Sequence, residues 1–150
     1  MRPPALEDLE RQGIAVVVPG GVVFHVPEDW PAEGEDRIGY VSILRLVECV
    51  REEHWRRTVL PEAGDPPVDS ITKSLSAEFF APVCPGTPVL GRSRVTRGGA
   101  RSYELTVDLV VRDTGEPLMR AVLVGVFYDA DAGRSTVPPE AVAASLRVDL

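Results

Sequence analysis

The sequence is almost without lysine: of its 16 basic residues only Lys73 is one. Twenty-three acids oppose them, giving a formal net charge of −7. The arginines (among them Arg92, Arg94, Arg97, Arg101 and Arg112) are scattered and are not interleaved with aromatics, which make up 6% of the chain. A nucleic acid therefore has little to hold, and no nucleic-acid partner is expected. A compact phosphate-bearing ligand stays open, because a few local arginines can grip one against an acidic global charge. Cysteine is equally scarce. Cys49 and Cys84 form no CxxC and no Cys/His cluster, which argues against a disulfide framework or a zinc site, so no metal and no cofactor is expected. No apolar run approaches the roughly 18 residues of a membrane span, and "MRPPALEDLERQG" is too charged for a signal peptide. The expectation is a cytoplasmic protein with no membrane association.

What is present suits one domain over residues 1–150, long enough to bury roughly two thirds of its unfolded surface. "GIAVVVPGGVVFHV" gives two β-branched runs around a Pro-Gly-Gly turn, with a first strand expected near 22–26. The loop "PEDWPAEGEDRIG" leads into a helix expected over 38–58, with Asp36 as its cap. Ile43, Leu46, Val47 and Val50 fall at helical spacing and define a core stripe. Leu44, Glu48, Arg51 and Trp55 form a second row one residue around, and Arg45, Glu52 and Arg56 are left for the outer side. Four strand-like runs follow, at 69–80, 88–97, 101–112 and 118–128. In "RSYELTVDLVVR", Tyr103, Leu105, Val107, Leu109 and Val111 share one face. "LMRAVLVGVFY" is apolar on both faces and belongs in mid-sheet. "PPEAVAASL" predicts a short terminal helix. The expected architecture is α+β: one long helix after the first strand, then an antiparallel meander of four strands whose concave side wraps the helix.

This order of elements resembles the hot-dog fold of acyl-thioester-processing proteins, over about residues 14–130. "EFFAPVCPGTPVLGRSRV" carries the aromatic and proline ending of a third strand, Phe79, Phe80 and Pro82, followed by the Pro85-Gly86 turn. "YVSILRLVECVREEHW" is similar to the central helix of the 4-hydroxybenzoyl-CoA-thioesterase-like branch, which includes thioesterases of enediyne polyketide pathways. The matching positions are Tyr40-Val41, Leu44-Arg45 and Arg51-Glu52. The resemblance implies a thioesterase acting on an acyl or polyketide thioester of coenzyme A or an acyl carrier protein. It also implies a homodimer or dimer of dimers with clefts between subunits. Many relatives place a catalytic aspartate in the loop before the helix, where this chain offers Glu33, Glu35 and Asp36; others use a helix acid, and Glu48 stands there.

Thioester hydrolysis needs a group that polarises the carbonyl and one that activates water or attacks directly. The open amides at a helix N-terminus, at Gly39 and Tyr40, meet the first need. Glu48 or Asp36 meets the second. Against these stand plain structural roles: relief of crowding for Gly39, core packing for Tyr40, a cap for Asp36, and an ion pair with Arg51 for Glu48. Ser70, Thr72 and Ser74 alternate along one face of the third strand, either as plain solvated hydroxyls or as substrate contacts, and Thr72 and Ser74 with Arg51 are the candidates to hold the thioester. Arg92 and Arg94 are candidates for phosphates, or a solvated strand edge. The competing functions are a non-catalytic acyl-binding or scaffold protein and a hydratase or dehydratase. The latter lacks the aspartate and histidine pair a few residues apart that such chemistry wants.

Overall fold

A computed structural model describes residues 5–30, 37–64 and 68–150. The chain runs α1 (Ala5–Arg11), β1 (Ala15–Val18), β2 (Gly21–Phe24), α2 (Tyr40–His54), β3 (Asp69–Phe79), β4 (Val89–Gly98), β5 (Ser102–Val111), β6 (Pro117–Asp129), β7 (Arg134–Ser135) and α3 (Glu140–Leu146). Among the described residues these strands make one antiparallel sheet in the order β1-β2-β4-β5-β6-β3, with β7 added to β6. The sheet curls around α2, the hot-dog arrangement.

Two sequence expectations change. The β-branched runs at 15–18 and 21–24 are both strands, paired as a hairpin from Ala15 opposite Phe24 to Val18 opposite Gly21. Only β4, β5 and β6 form a meander; β3 crosses over to the far side of β6 and becomes an edge. β6 is thus an interior strand, as its two apolar faces require. On β5 the alternation holds, with Tyr103, Leu105, Val107 and Leu109 buried.

The helix stripe packs into the concave face: Ile43, Leu46, Val47, Cys49 and Val50 are all buried in a core with Phe24, Leu105, Leu109, Met119 and Phe127. Contact is close enough to dictate a residue type. A β-carbon on Gly91 would run into Val50 Cγ2 and crowd Leu109 Cδ2 at 3.1 Å and Phe24 Cε2 at 3.2 Å. Gly91→Ala is therefore expected to cost about 1–3 kcal/mol, the usual range for overpacking a core. The urea midpoint measures it, and an unchanged midpoint would show that α2 can lift off β4.

α2 does not stop at His54. It continues as a π-helical turn, Trp55–Val59, in which Thr58 Oγ1 donates to His54 O at 2.7 Å, and then a 3-10 turn, Leu60–Glu62. At the C-terminus a 3-10 turn, Arg147–Asp149, lies along the part of β4 that β2 leaves uncovered. There Asp149 Oδ2 accepts the Val95 N–H at 2.8 Å, and Leu150 Cδ1 sits near Gly98. No helix among the described residues is long and apolar enough to cross a membrane.

Candidate active site

Three sides of α2 have different neighbours. The apolar stripe meets the sheet. A second side, Arg45, Glu52 and Arg56 at spacings of seven and four, holds α1: Arg45 Nη2 donates to Asp8 Oδ2 at 2.7 Å and Arg56 Nη1 to Glu10 Oε1 at 3.1 Å. Glu52 caps α1 by accepting the Ala5 and Leu6 N–H groups at 2.9 and 3.1 Å. Burial raises the Glu52 pKa, and those two N–H groups partly offset the rise. Between these sides lies the row Leu44, Glu48, Arg51 and Trp55, half-buried, whose last two members share a cavity with Asp69 and Ser70 at the start of β3.

In that row Arg51 Nε donates to both Glu48 carboxylate oxygens at 3.1 Å, and Nη2 donates to Oε1. Burial works to lower the Arg51 pKa, but the hydrogen bond and charge of Glu48 outweigh it and the net direction is up. The side chain of Glu48 remains 39% exposed and that of Arg51 23%. Cys49, the neighbouring thiol, is pushed up to about 12, first by burial and then by Glu52, so it stays protonated and is a poor nucleophile.

Two cavities flank this row. One, about 400 Å³, is lined by Leu6, Arg51, Glu52, Trp55, Leu60 and Ser70 among others. The other, about 540 Å³, lies at the opposite end of α2 and is lined by Ile38, Tyr40, Ile43, Phe79, Phe80 and Pro82. The second cavity adjoins the helix N-terminus. Ile38 N–H donates to Val83 O at 2.9 Å, tying the entry of α2 to the loop after β3.

The N-cap is Gly39, in an extended conformation with no side-chain cap and no acid in the first turn of α2. It lies three residues after the cap expected at Asp36. Asp36, with Glu33 and Glu35, lies outside the described residues. Tyr40 is the first helical residue and is 55% exposed at the mouth of the apolar cavity.

The hydroxyl row on β3 needs correction. Ser70 pairs with Phe127 and Thr72 with Gly125, but a bulge at Lys73 shifts the register so that Ser74 pairs with Val124. Cross-strand partners share a face, so Ser70 and Thr72 look toward the helix side with Phe127 and Gly125, while Ser74 looks outward with Val124. Arg92 and Arg94 lie on the outer face of β4, opposite Asp108 and Thr106 of β5, and line neither cavity.

The aromatic surroundings of the polar cavity were not legible as a site. Ser70 Oγ and Tyr103 Oη are 3.0 Å apart, and the Tyr103 ring packs on Phe127 at 5.5 Å, which in turn meets Trp55 at 6.3 Å. Gly125 makes room: a β-carbon there would collide with Tyr103 Cζ. Tyr103 reads as a core residue until its strand partner is known.

His54 is buried beneath this region with Nδ1 at 2.8 Å from Ser93 Oγ. Burial, then the Arg57 charge, holds its pKa below the ordinary 6.5, against smaller opposing effects of Asp149 and Glu53. The unfolded chain thus takes up a proton near pH 6.5 that the folded chain refuses. The stability linked to His54 is whole above that pH and lost as pH falls below it. The unfolding midpoint should drop between about pH 7.5 and about pH 5.5, and drop less in His54→Gln. Equal drops would clear His54 of the effect.

Comparison with known proteins places the chain in a family. The sequence profile of the thioesterase superfamily matches residues 40–118, from the first turn of α2 into β6. The chain belongs to the thioesterase superfamily. Thioester hydrolysis is the activity that membership carries, and the matched span holds Glu48, Arg51 and both cavities' strand residues. Solved structures agree on the fold. A thioesterase-superfamily protein from Jannaschia sp. CCS1 superposes with a TM-score of 0.74 at 20% identity, over 99% of this chain and 93% of that one. A 1,4-dihydroxy-2-naphthoyl-CoA thioesterase from Synechocystis gives 0.70 at 14% identity, over 85% and 96%. The dynemicin thioesterase, described with a bound polyene, gives 0.71 at 16% identity, over 85% and 94%. No curated protein matches the sequence.

Proposed function

We propose that this thioesterase-superfamily chain hydrolyses an acyl thioester of coenzyme A or of an acyl carrier protein, the polyketide type included, in a cleft completed by a second copy of itself. The observation that carries the proposal is the placement of the two cavities at opposite ends of β3. Asp69 and Ser70, at its start, line the polar cavity beside Arg51; Phe79 and Phe80, at and just beyond its end, line the apolar cavity beside the helix N-terminus. β3 is an edge strand with Ile71, Leu75 and Phe79 exposed, a surface expected to seek a partner. Two such edges pairing antiparallel about their middles would bring the start of one beside the end of the other. Each polar cavity then meets the second copy's apolar cavity and helix N-terminus. This matters because Gly39 and Glu48 of one copy are about 13 Å apart along the helix axis, too far to act on one carbon. Dimers could assemble further into tetramers.

In that cleft the thioester oxygen accepts hydrogen bonds from the amides at Gly39 and Tyr40 of one copy, where the helix dipole favours developing negative charge. Glu48 of the other takes a proton from water as the water oxygen bonds to the carbonyl carbon. Collapse of the tetrahedral oxyanion breaks the C–S bond, and the thiolate leaves with the proton that Glu48 returns. Arg51 fixes the carboxylate's orientation. Thr72 faces the cleft as a substrate contact. The exposed Arg92 and Arg94 serve the phosphates of coenzyme A only if the pantetheine arm curls around the sheet.

The Glu48–Arg51 pair also favours a second reading, acyl binding without hydrolysis, in which the carboxylate is neutralised by its own helix. Thiol release from acyl-CoA and acyl-carrier thioesters, measured for the wild type, Glu48→Ala and Asp36→Ala, separates the two. Release lost in Glu48→Ala supports the proposal; release lost only in Asp36→Ala moves the base to the loop; binding with no release leaves the second reading.

A further inference from the structure

The polar cavity lies beyond the carboxylate it would serve. Arg51 is one turn past Glu48 and Trp55 a further turn, so the space extends roughly 10 Å along the helix from the level of Glu48. Leu6, Trp55 and Leu60 supply its apolar wall, and Glu7, Arg51, Glu52, Arg56, Asp69 and Ser70 the polar remainder. The polar atoms it offers to an occupant are mainly donors. Glu48 engages Arg51 Nε and Nη2, which leaves the Nη1 hydrogens, among the described residues, directed at no protein acceptor. Ser70, on the wall, and Tyr103, buried behind it, share a single hydrogen bond between two hydroxyls, so when Tyr103 donates the Ser70 O–H is left over for an occupant. The acid on the wall, Glu52, is already accepting two backbone N–H groups. Glu7 and Asp69, exposed at the rim, would repel a carboxylate.

Tyr103 is also held in place rather than merely present. Its ring occupies the seat that Gly125 leaves open on β6 and packs against Phe127, so the hydroxyl cannot swing away without unpacking the core. A saturated chain entering here would strip water from fixed donors and give no acceptor in return, whereas a chain carrying a carbonyl would satisfy them.

We infer that the acyl group taken by this cavity carries a neutral acceptor oxygen, a ketone being the simplest, on its chain away from the thioester, and that Ser70, its hydroxyl held by Tyr103 behind it, recognises it. The inference rests on the thioesterase reading for the identity of the chain and on the cavity for the oxygen. Ser70 is thereby a specificity-determining residue and Tyr103 its positioning residue, both separate from the groups that act on the thioester.

The test compares octanoyl-CoA with the same chain bearing a ketone on its penultimate carbon. kcat/KM is measured for the wild type, Tyr103→Phe and Ser70→Ala, and binding of the two corresponding non-hydrolysable thioethers is measured by calorimetry in parallel. The wild type should prefer the ketone by about tenfold, the worth of one good hydrogen bond. Tyr103→Phe should abolish that preference while changing the octanoyl value less than about twofold, a split that general damage to the fold would not give. Ser70→Ala should behave alike, and it decides the matter if Tyr103→Phe folds poorly. No preference in the wild type, or a preference that survives both substitutions, overturns the inference even if thiol is released. A thioether preference that Tyr103→Phe removes, with no thiol released from either substrate, upholds the inference and fells the hydrolase reading instead.

Discussion

Glu48→Ala should leave a folded protein whose kcat for thioester hydrolysis is lower by about 10²–10⁴-fold, the usual worth of a positioned general base. Little stability should go with it. The pair it forms with Arg51 is more than a third exposed at the carboxylate, and a solvent-screened ion pair contributes about 0–1 kcal/mol. The substitution also leaves Arg51 without its partner, so Glu48→Gln is the cleaner variant: it keeps the shape and a hydrogen-bond acceptor and removes only the basicity. If both variants lose turnover and keep the urea midpoint, Glu48 is the base. If turnover persists and the midpoint falls by several kilocalories' worth, the pair is a strut, and the chemistry belongs to another group. Measuring the rate and midpoint on the same preparations is what makes the two roles separable.

Leu75→Arg should do as much damage without touching a reacting group. Leu75 sits on the helix-side face of β3, opposite Leu123, and is exposed in the single chain. A charge there costs an isolated subunit little. Buried against its own copy at a two-fold contact, it would meet another arginine across the axis in a low-dielectric setting, where like charges repel strongly. Sedimentation velocity is expected to show dimers for the wild type and monomers for the variant, with thiol release down by at least about 100-fold, since each half-cleft lacks what the other supplies. A monomeric variant that turns over at the wild-type rate would show that one chain suffices and that the distance between Gly39 and Glu48 is bridged some other way.

Much of this fold could be read from local pattern, and the exceptions share a cause. The stripe on α2 and the alternation on β5 are local periodicities, visible in one strand or helix at a time, and both are found as expected. The neighbour of β3 depends on pairing across 40 to 59 residues of chain, and nothing in "DSITKSLSAEF" announces that it joins β6 rather than β4. The bulge at Lys73 is a register event between two strands, so a row of hydroxyls at even spacing looked like one face and is two. Glycines behaved the same way. Gly91 and Gly125 stand in apolar strand sequence where a residue with a side chain would have seemed better, and only the approach of Val50 and of Tyr103 explains them. As for the candidate site, Glu48, Arg51 and Gly39 could be proposed from sequence because they lie on or at the start of one helix. The Ser70 and Tyr103 pair was not, because its members are 33 residues apart and meet through a third strand.

The C-terminal turn that lies along β4 sets a limit on growth. A sheet with two bare rims can add copies at both, and such contacts propagate into filaments. Here Asp149 occupies the Val95 N–H on one side, beyond the short β2, while the long rim on the other side is β3. A molecule with one long adhesive rim finds one mate along it, and any further copy must meet another face. Removing Asp149 and Leu150 would therefore be felt in solution first as turbidity at high concentration, well before any change in the chemistry of the cleft.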